Sequence, residues 1–303
     1  MKKTAAQKAA AAGGNDMLCT IRNEALRAQI DTLGAQLMCL TGKTEYLWQG
    51  DAKYWKDRSI TIFPYVARLT DGKYTYRGKT YHLPIHGFAP EAEFAVTDRT
   101  ENAVTLCIGK TPEFFAQFPF DFRYAITYRL ESNTLRVEIS VQNRGDDTMH
   151  FALGGHPGIN VPLEDGLSFE DYVLDFGKDE LSRVEFSPDC FVTGEQTAFS
   201  LPEGKLPLRH DLFDDDAIVL KNVPASVTLR SEKGARGVTL TAPDFPVFGF
   251  WHMPKTDAPY VCLEPWSSLP SRKGVVEDLQ TQPDLIALPA GETYRTAWSL
   301  TCF

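Results

Sequence analysis

The amino-acid sequence predicts an all-β protein, built as a single large antiparallel β-sandwich with few short helices. Short apolar runs separated by Gly, Asn and Asp turns recur along the whole chain, which is typical of strands. No stretch keeps an apolar period of 3.6 residues, and strands do not alternate with helices as a parallel sheet requires. The 303 residues are 43% hydrophobic and can therefore bury a large core in one all-β unit.

Ten strands are predicted in the first half of the chain. The clearest covers residues 134–143, where every second residue from Leu135 to Val141 is apolar, as in a strand with one buried face. Gly78 is predicted at the turn of a hairpin. In chain order the ten strands are 19–21, 26–30, 37–40, 46–48, 74–76, 80–83, 94–98, 103–109, 122–130 and 134–143.

The second half continues in the same way, and its helical signal is equally thin. Residues 111–116 carry enough helical signal for one turn. No Pro- or Ser-rich linker and no fixed-period repeat divides the chain, so residues 17–303 are predicted to form one domain. The strands predicted here are 172–176, 217–221, 226–231, 237–241, 247–252, 260–264 and 293–300.

The amino terminus and the cysteines indicate a cytoplasmic protein. Residues 1–16 are rich in Lys, Ala, Gly and Gln and lack the apolar segment of a secretory signal, so we expect either a disordered extension or a remnant of cloning there. The six cysteines are scattered without a C-x-x-C pair, which favours reduced thiols in the core over a disulfide or zinc framework. They are Cys19, Cys39, Cys107, Cys190, Cys262 and Cys302.

The charge pattern limits the partners. The formal net charge is −9 and no basic stripe is visible, which argues against nucleic acid and anionic membrane as partners. No run approaches the roughly 20 apolar residues of a membrane span. The aromatic share of 12% suits sheets and sugar-facing surfaces. We expect a small-molecule partner and a monomer or homodimer.

Glu264 stands out because it closes an apolar, strand-like run and precedes Pro265. Proline cannot donate to a sheet ladder, so the strand is predicted to end there and to leave Glu264 at a rim. Partial burial between Leu263 and Trp266 would raise the pKa of the carboxylate and suit it to accept protons near neutral pH. The alternative is an ordinary surface glutamate at a strand end.

Two of the six histidines lie in tight glycine contexts. His86 is found in Leu-Pro-Ile-His-Gly-Phe, and His156 in Gly-Gly-His-Pro-Gly-Ile-Asn. Glycines beside an imidazole let backbone and ligand approach closely, and loops held on a rigid sheet often carry function. Each is alternatively a turn histidine bonded to a nearby carbonyl.

Arg68 and Asp216 are the charged residues whose positions call for a partner. Arg68 lies inside an apolar and aromatic run and cannot be buried cheaply alone, so it pairs either with a ligand or with an acid such as Asp71. Asp216 is the last of three acids before a predicted strand and is the one best placed to face a ligand. The alternative for the acids is a solvated face.

Several kinds of active site are excluded by the absence of their motifs. Neither H-x-H nor H-E-x-x-H is present, so no metal site is predicted. The G-x-S-x-G of serine hydrolases and the glycine-rich phosphate loops are also absent. What remains is a set of acid–base groups in a β protein rich in aromatic residues.

Five short segments, taken in order, resemble the aldose 1-epimerase (galactose mutarotase-like) family. They are Ala-Arg-Leu-Thr-Asp-Gly, His-Gly-Phe, Gly-Gly-His-Pro-Gly, Asp-Ala-Ile-Val-Leu and Cys-Leu-Glu-Pro-Trp. The chain looks most like the LacX-type branch of that family, from about residue 18 to its end. The resemblance implies a β-supersandwich fold, in agreement with the strand pattern. It also implies a mutarotase that uses no metal and no nucleotide.

Site roles follow from the same resemblance. Glu264 matches the general base of the family and His156 the general acid, while His86 matches a second histidine beside the sugar ring. Arg68 and Asp216 match groups that hold substrate hydroxyls. Trp251, a further residue that we consider, is predicted either to stack on a sugar face or to be a core aromatic.

Two departures from the galactose-type enzymes leave the sugar preference open. Ala67 stands where those enzymes have Asn, and residues 157–160 replace a Tyr/Phe-rich segment.

Three other functions stay open as well. The first is a sugar-binding or sensing protein without turnover. The second is a hexose 6-phosphate mutarotase that uses the basic hairpin Lys73, Arg77 and Lys79. The third is a glycosidase, for which Asp216 and Glu264 are the candidate carboxylate pair.

Overall fold

A computed structural model describes residues 18–303, and the extension predicted at residues 1–16 lies outside the described residues. The described residues contain one short α-helix, α1 (Pro112–Gln117), which falls where a single helical turn is predicted. Its amino terminus is capped by the Thr111 hydroxyl. Within the described residues, five 3₁₀ turns cover Thr70–Gly72, Ala89–Glu91, Phe169–Asp171, Pro202–Gly204 and His210–Phe213.

Strands are the main regular element of the described chain. In order they are β1 Leu18–Arg22, β2 Arg27–Asp31, β3 Leu37–Thr41, β4 Ser59–Ile62, β5 Lys73–Tyr76, β6 Lys79–His82, β7 Ala95–Arg99, β8 Ala103–Gly109, β9 Phe122–Glu131, β10 Thr134–Asn143, β11 Met149–Phe151, β12 Gly154–Asn160, β13 Tyr172–Asp175, β14 Glu180–Phe186, β15 Val192–Ser200, β16 Lys205–Pro207, β17 Ile218–Lys221, β18 Ser226–Ser231, β19 Gly237–Thr241, β20 Val247–Trp251, β21 Tyr260–Trp266, β22 Ile286–Leu288 and β23 Thr293–Cys302.

Two large antiparallel sheets dominate the architecture. Nine strands form one sheet in the order β16-β13-β18-β19-β23-β10-β9-β8-β7, and seven form the other in the order β15-β14-β17-β20-β21-β12-β4. Three smaller sheets, β1-β2-β3, β11-β22 and β5-β6, complete the described fold. The prediction of a large antiparallel β-sandwich with few short helices is confirmed.

The main core lies between the two large sheets, and the period of two in each strand decides which residues enter it. In β10, the side chains from Leu135 to Val141 that were predicted to face inward are buried. In β21, Val261 and Leu263 join the same core, so the alternate residues of that strand face the opposite side of the seven-stranded sheet. This outer face carries the candidate site.

The prediction that β21 ends before Pro265 is wrong. The strand runs through to Trp266, and the ladder continues on both sides through the pairs Phe248↔Pro265 and Gly154↔Trp266. Proline removes one ladder donor, but the bonds of its neighbours hold the strand in place. Glu264 therefore lies inside the sheet and not at a rim.

Other strand predictions differ from the structure where local composition misleads. Residues 46–48 form no strand of their own and contribute a single bridge, Leu47↔Ile159. Strand β12 carries three glycines and a proline, which have low β-propensity, so its sequence predicts a loop and the structure has a strand. The other unpredicted strands, which are short or rich in polar residues, are β4, β11, β14, β15, β16 and β22.

Candidate active site

The register of the sheet brings Glu264 and His156 face to face. Strands β12 and β21 are paired at Gly154↔Trp266 and at Gly158↔Cys262, which places His156 directly opposite Glu264 midway between these pairs. Both side chains point to the outer face because Leu263 and its alternates point to the core. Residues 108 positions apart are thus neighbours across one strand pair.

The double glycine before His156 has a packing role. A Cβ on Gly155 would lie 2.7 Å from the ring of Trp298, and a Cβ on Gly154 would lie 2.6 Å from the carbonyl oxygen of Pro265. Only glycine fits at such distances, so β12 can lie close to both the opposite sheet and β21. This close packing fixes the height of His156 above the sheet.

The two groups form a tightly enclosed acid–base pair. Oε2 of Glu264 lies 3.2 Å from Nε2 of His156, and only 1% of the glutamate and 7% of the histidine surface is exposed. Burial raises the pKa of Glu264 well above its ordinary value and lowers that of His156 well below its own. Burial therefore favours the form of the pair that shares one proton and carries no net charge.

Two tryptophans frame this pair. The indole Nε1 of Trp266 donates to Oε2 of Glu264 at 3.2 Å, which favours the carboxylate and partly offsets the effect of burial on its pKa. The ring of Trp55 lies 4.8 Å from the ring of His156, centroid to centroid. Nδ1 of His156 is buried and has no hydrogen-bond partner among residues 18–303, so packing and the contacts at Nε2 hold the ring.

His86 is a second, neutral imidazole beside the pair, on a turn as its glycine context predicts. It has a positive φ of 65°, and its Nδ1 accepts a hydrogen bond from the backbone N–H of Ala67 at 3.3 Å. Burial, and then the charge of Arg68, lower the pKa of His86 to about 4. Nε2 therefore carries the proton at neutral pH and is available as a donor beside His156, whose ring centre is 5.3 Å away.

Arg68 and Asp216 contact each other. Nη2 of Arg68 lies 3.7 Å from Oδ2 of Asp216, and Asp71, the partner considered from the sequence, pairs with Lys73 instead. Asp216 also accepts the N–H of Ala217 at 3.0 Å and the thiol of Cys190 at 2.8 Å. Three chain segments distant in sequence are thereby joined at the mouth of one cavity.

All six predicted site residues line this cavity, whose volume is about 460 Å³. Trp251 lies on its wall, with its ring 5.7 Å from that of His156. Trp55, Asp57 and Cys190 also line it and were not singled out from the sequence. Trp55 and Asp57 belong to an aromatic–acid segment ahead of β4 that could have marked them as site residues. Strand β4 itself was not predicted. No motif marks Cys190.

The basic hairpin β5–β6 is not part of this cavity. Lys73 pairs with Asp71 at 3.0 Å and Arg77 with Asp147 at 2.6 Å. Among the described residues that line the cavity, Arg68 is the one lysine or arginine. Lys73 and Arg77 are thus engaged elsewhere, as expected of a solvated hairpin.

One group of side chains has the donor types of a metal site. His156, Cys262 and Glu264 bring one potential ligand atom each to within 4.8 Å of one another, and all three residues are buried. Burial and the nearby Glu264 carboxylate raise the pKa of the Cys262 thiol well above its usual range. The thiol is therefore protonated at neutral pH, and a metal ion would have to displace that proton before Cys262 could bind it.

Fold and cavity together define a β-sandwich protein with a buried acid–base pair at the base of a mixed aromatic and polar cavity. The chain belongs to the aldose 1-epimerase family, whose model matches residues 17–301. The chromosomal LacX protein of Lactococcus lactis subsp. lactis is 31% identical over 297 residues, 94% of this chain and 99% of that protein. The resemblance to the LacX-type branch is thus confirmed.

Solved structures give the same result. A galactose mutarotase related enzyme from Lactobacillus acidophilus superposes with a TM-score of 0.90 at 32% identity, covering 95% of this chain and 97% of that one. A galactose mutarotase-like protein from Lactobacillus casei gives 0.89 at 33%, covering 95% and 100%. A galactose 1-epimerase from L. acidophilus NCFM, at 14% identity and a TM-score of 0.69 over 96% of each chain, shares the fold.

Within residues 18–303, no helix is both long and apolar enough to cross a membrane.

Proposed function

We propose that the protein is an aldose 1-epimerase that interconverts the α and β anomers of a hexose by acid–base ring opening and closure. The observation that supports this most strongly is the Glu264–His156 pair, with 3.2 Å between Oε2 and Nε2 at the base of a cavity. A sugar that binds above the pair would replace their mutual contact by two contacts, one to each of the geminal oxygens on C1.

Ring opening uses the pair as carboxylate and imidazolium. Oε2 of Glu264 takes the proton of the anomeric hydroxyl O1 while Nε2–H of His156 protonates the ring oxygen O5. The C1–O5 bond breaks, its electron pair stays on O5, and C1=O1 becomes an aldehyde. Glu264 then holds one proton and His156 is neutral, so the total number of protons is conserved.

Ring closure on the other face runs these steps backwards. Rotation about C1–C2 turns the aldehyde, and O5 attacks C1 as His156 removes its proton. Glu264 returns a proton to O1, and the opposite anomer is formed. Positioned acid and base groups each contribute typically about 10²–10⁴-fold to such a reaction.

The proton count of the free protein suits this cycle. The uncharged pair and the carboxylate–imidazolium pair contain the same single proton, so its transfer across 3.2 Å converts the resting form into the reactive one. The Trp266 N–H stabilises the carboxylate in the reactive form. Neutral His86 donates without adding charge, and the Arg68–Asp216 couple offers both donors and an acceptor to sugar hydroxyls.

The experiment is anomer exchange measured by polarimetry or NMR from pure α-glucose and α-galactose, with wild type and Glu264→Gln at matched concentration. We expect wild type to accelerate relaxation well beyond the buffer rate. Glu264→Gln should lose this acceleration by a factor of 10² or more while keeping its melting temperature. Relaxation by wild type at the buffer rate with several sugars would refute the proposal.

That last result, combined with measurable sugar binding, would instead support a sugar-binding or sensing protein. The buried pair is the feature that argues against it, because a binding site has no need of a base and an acid in contact. The hexose 6-phosphate alternative finds no support in the basic hairpin, whose Lys73 and Arg77 pair with other acids.

A further inference from the structure

A carboxylate outside the acid–base pair lies in the same cavity without a partner. Asp57 lines the cavity and is partly buried, yet among residues 18–303 its side chain has neither a hydrogen bond nor an ion pair. Burial raises the pKa of Asp57 against the opposing effect of Lys56, and Glu91 raises it further. Partial burial of an unpaired carboxylate is unfavourable, so a compensating contact is expected from outside the chain.

The topology puts Asp57 on the flank of the cavity opposite Asp216. Asp57 lies two residues before β4, which borders β12 on one side. Asp216 lies two residues before β17, which is two strands beyond β21 on the other side. The catalytic strands β12 and β21 lie between them. A sugar ring above Glu264 and His156 thus has Arg68 and Asp216 on one side and Asp57 on the other.

The charges of the cavity disfavour an anionic ligand. Outside the uncharged Glu264–His156 pair, three carboxylates line it, those of Asp57, Asp215 and Asp216. Among its described lining residues the one lysine or arginine is Arg68, which already contacts Asp216. His86 is neutral at pH 7 because its pKa is about 4. A phosphate or carboxylate on the sugar would meet repulsion and find no free cation.

We propose that Asp57 accepts hydrogen bonds from substrate hydroxyls on the flank opposite Arg68, and that it makes the cavity select uncharged aldoses over sugar phosphates and sugar acids. This inference rests on the proposed function for its substrate class. A carboxylate is an acceptor-only group with room for two hydroxyl donors, which matches the adjacent hydroxyls of a pyranose and does not match an anion. Asp57 is a specificity residue here and takes no part in proton transfer.

The test compares wild type, Asp57→Asn and Glu91→Gln with glucose, galactose, their 6-phosphates and galacturonate. Binding is measured by NMR titration and anomer exchange by polarimetry. Glu91→Gln is the matched control, because it removes an acid that interacts with Asp57 but does not line the cavity. Asp57→Asn should remain at least as thermostable as wild type, since it removes an unpaired carboxylate.

For Asp57→Asn we expect KM and Kd for uncharged sugars to rise about tenfold or more, because a charge-assisted hydrogen bond is lost. The kcat should change less than threefold. In the same variant, the preference for uncharged sugars over the 6-phosphates and galacturonate, measured as a ratio of Kd values, should fall about tenfold. Glu91→Gln should behave as wild type. The inference is overturned if Asp57→Asn binds and discriminates among sugars as wild type does. It is also overturned if Glu91→Gln shows the losses expected of Asp57→Asn.

The two proposals fail separately. If wild type binds sugars but exchanges no anomers, the catalytic function falls and the titrations alone decide the role of Asp57. If wild type exchanges anomers and Asp57→Asn is unaltered, the function stands and the inference on Asp57 falls. If no sugar binds at all, both are wrong.

Discussion

Nε2 of His156 and Oε2 of Glu264 lie 3.2 Å apart because the β12–β21 register puts them at one level of the sheet. Their protonation is therefore a property of the pair and not of either residue. The active form holds one proton, so a second proton at low pH and the loss of the proton at high pH both stop the reaction. The pH dependence of kcat/KM reports these two steps.

We predict a broad plateau in kcat/KM that includes neutral pH. Burial lowers the pKa of His156, so the second proton binds only below the ordinary histidine value of 6.5, and burial raises that of Glu264, so the shared proton is retained well above 4.5. Polarimetric rates from pH 4 to 9, corrected for the buffer reaction, measure this. Activity that already declines between pH 7.5 and 6.5 would contradict it.

Strand patterns predicted most of this fold, and their failures have a physical cause. Residues 134–143 alternate cleanly and form β10 with the predicted bounds, because one face is buried and the other is solvated. Strand β12 carries no such pattern: Gly154 and Gly155 are set by close contacts with other strands that a sequence window cannot contain. Strand β15 is largely exposed, so it has no apolar period.

The site was predicted as far as its residues belong to recognisable segments. Such segments contain Glu264, His156, His86, Arg68 and Asp216, whereas Trp251 was considered separately as a wall or core aromatic. The structure brings all six into one cavity. Cys190 and Asp57 reach the same cavity through turns and sheet order. Their places depend on contacts between distant parts of the chain. Asp57 belongs to an aromatic–acid segment that could have marked it, whereas no motif marks Cys190.

Cys190 is predicted to react slowly with thiol reagents in spite of its partial exposure. Burial and the hydrogen bond to Asp216 raise the pKa of its thiol to about 11 from an ordinary 9.0. Since the thiolate is the reactive form, two pKa units correspond to about a hundredfold lower reactive fraction at pH 8. Alkylation by iodoacetamide, followed by peptide mass spectrometry, measures the rate.

The matched variant for Cys190 is Asp216→Asn, which removes the neighbouring carboxylate and should accelerate alkylation at least several-fold. Cys107, partly exposed on β8, serves as an internal comparison that this change leaves alone. A rate for Cys190 that is the same in both proteins would show that Asp216 does not control the thiol.

His252 is predicted to make the protein less stable in acid. The ring is fully buried, with Nδ1–H donating to the Met253 carbonyl at 2.8 Å and Nε2 facing His210 Nδ1 at 3.1 Å. Burial lowers its pKa to about 4, whereas the unfolded chain binds the proton near 6.5. Stability is therefore lost as the pH falls from 6.5 to 4, by on the order of 3 kcal/mol at most, and no further below 4.

Urea unfolding at pH 7, 5.5 and 4 tests this prediction in wild type and in His252→Asn. The asparagine amide replaces the Nδ1–H donor and does not titrate. We expect the variant to be less stable at pH 7 but to lose less stability on acidification. Equal losses in the two proteins would assign the acid sensitivity to other groups, such as His86, whose pKa is also about 4.

Gly155→Ala tests whether sheet packing fixes the position of His156. The added Cβ would lie 2.7 Å from Cζ2 of Trp298, which is buried and cannot swing away, so β12 must shift. We expect about 1–3 kcal/mol of lost stability together with a marked fall in kcat, because the acid moves with its strand. Gly145→Ala is the control, since its Cβ meets no atom closer than 3.5 Å and should leave both properties unchanged. If Gly155→Ala matches this control in melting temperature and in anomer exchange, then the contact between β12 and Trp298 does not set the geometry of the pair.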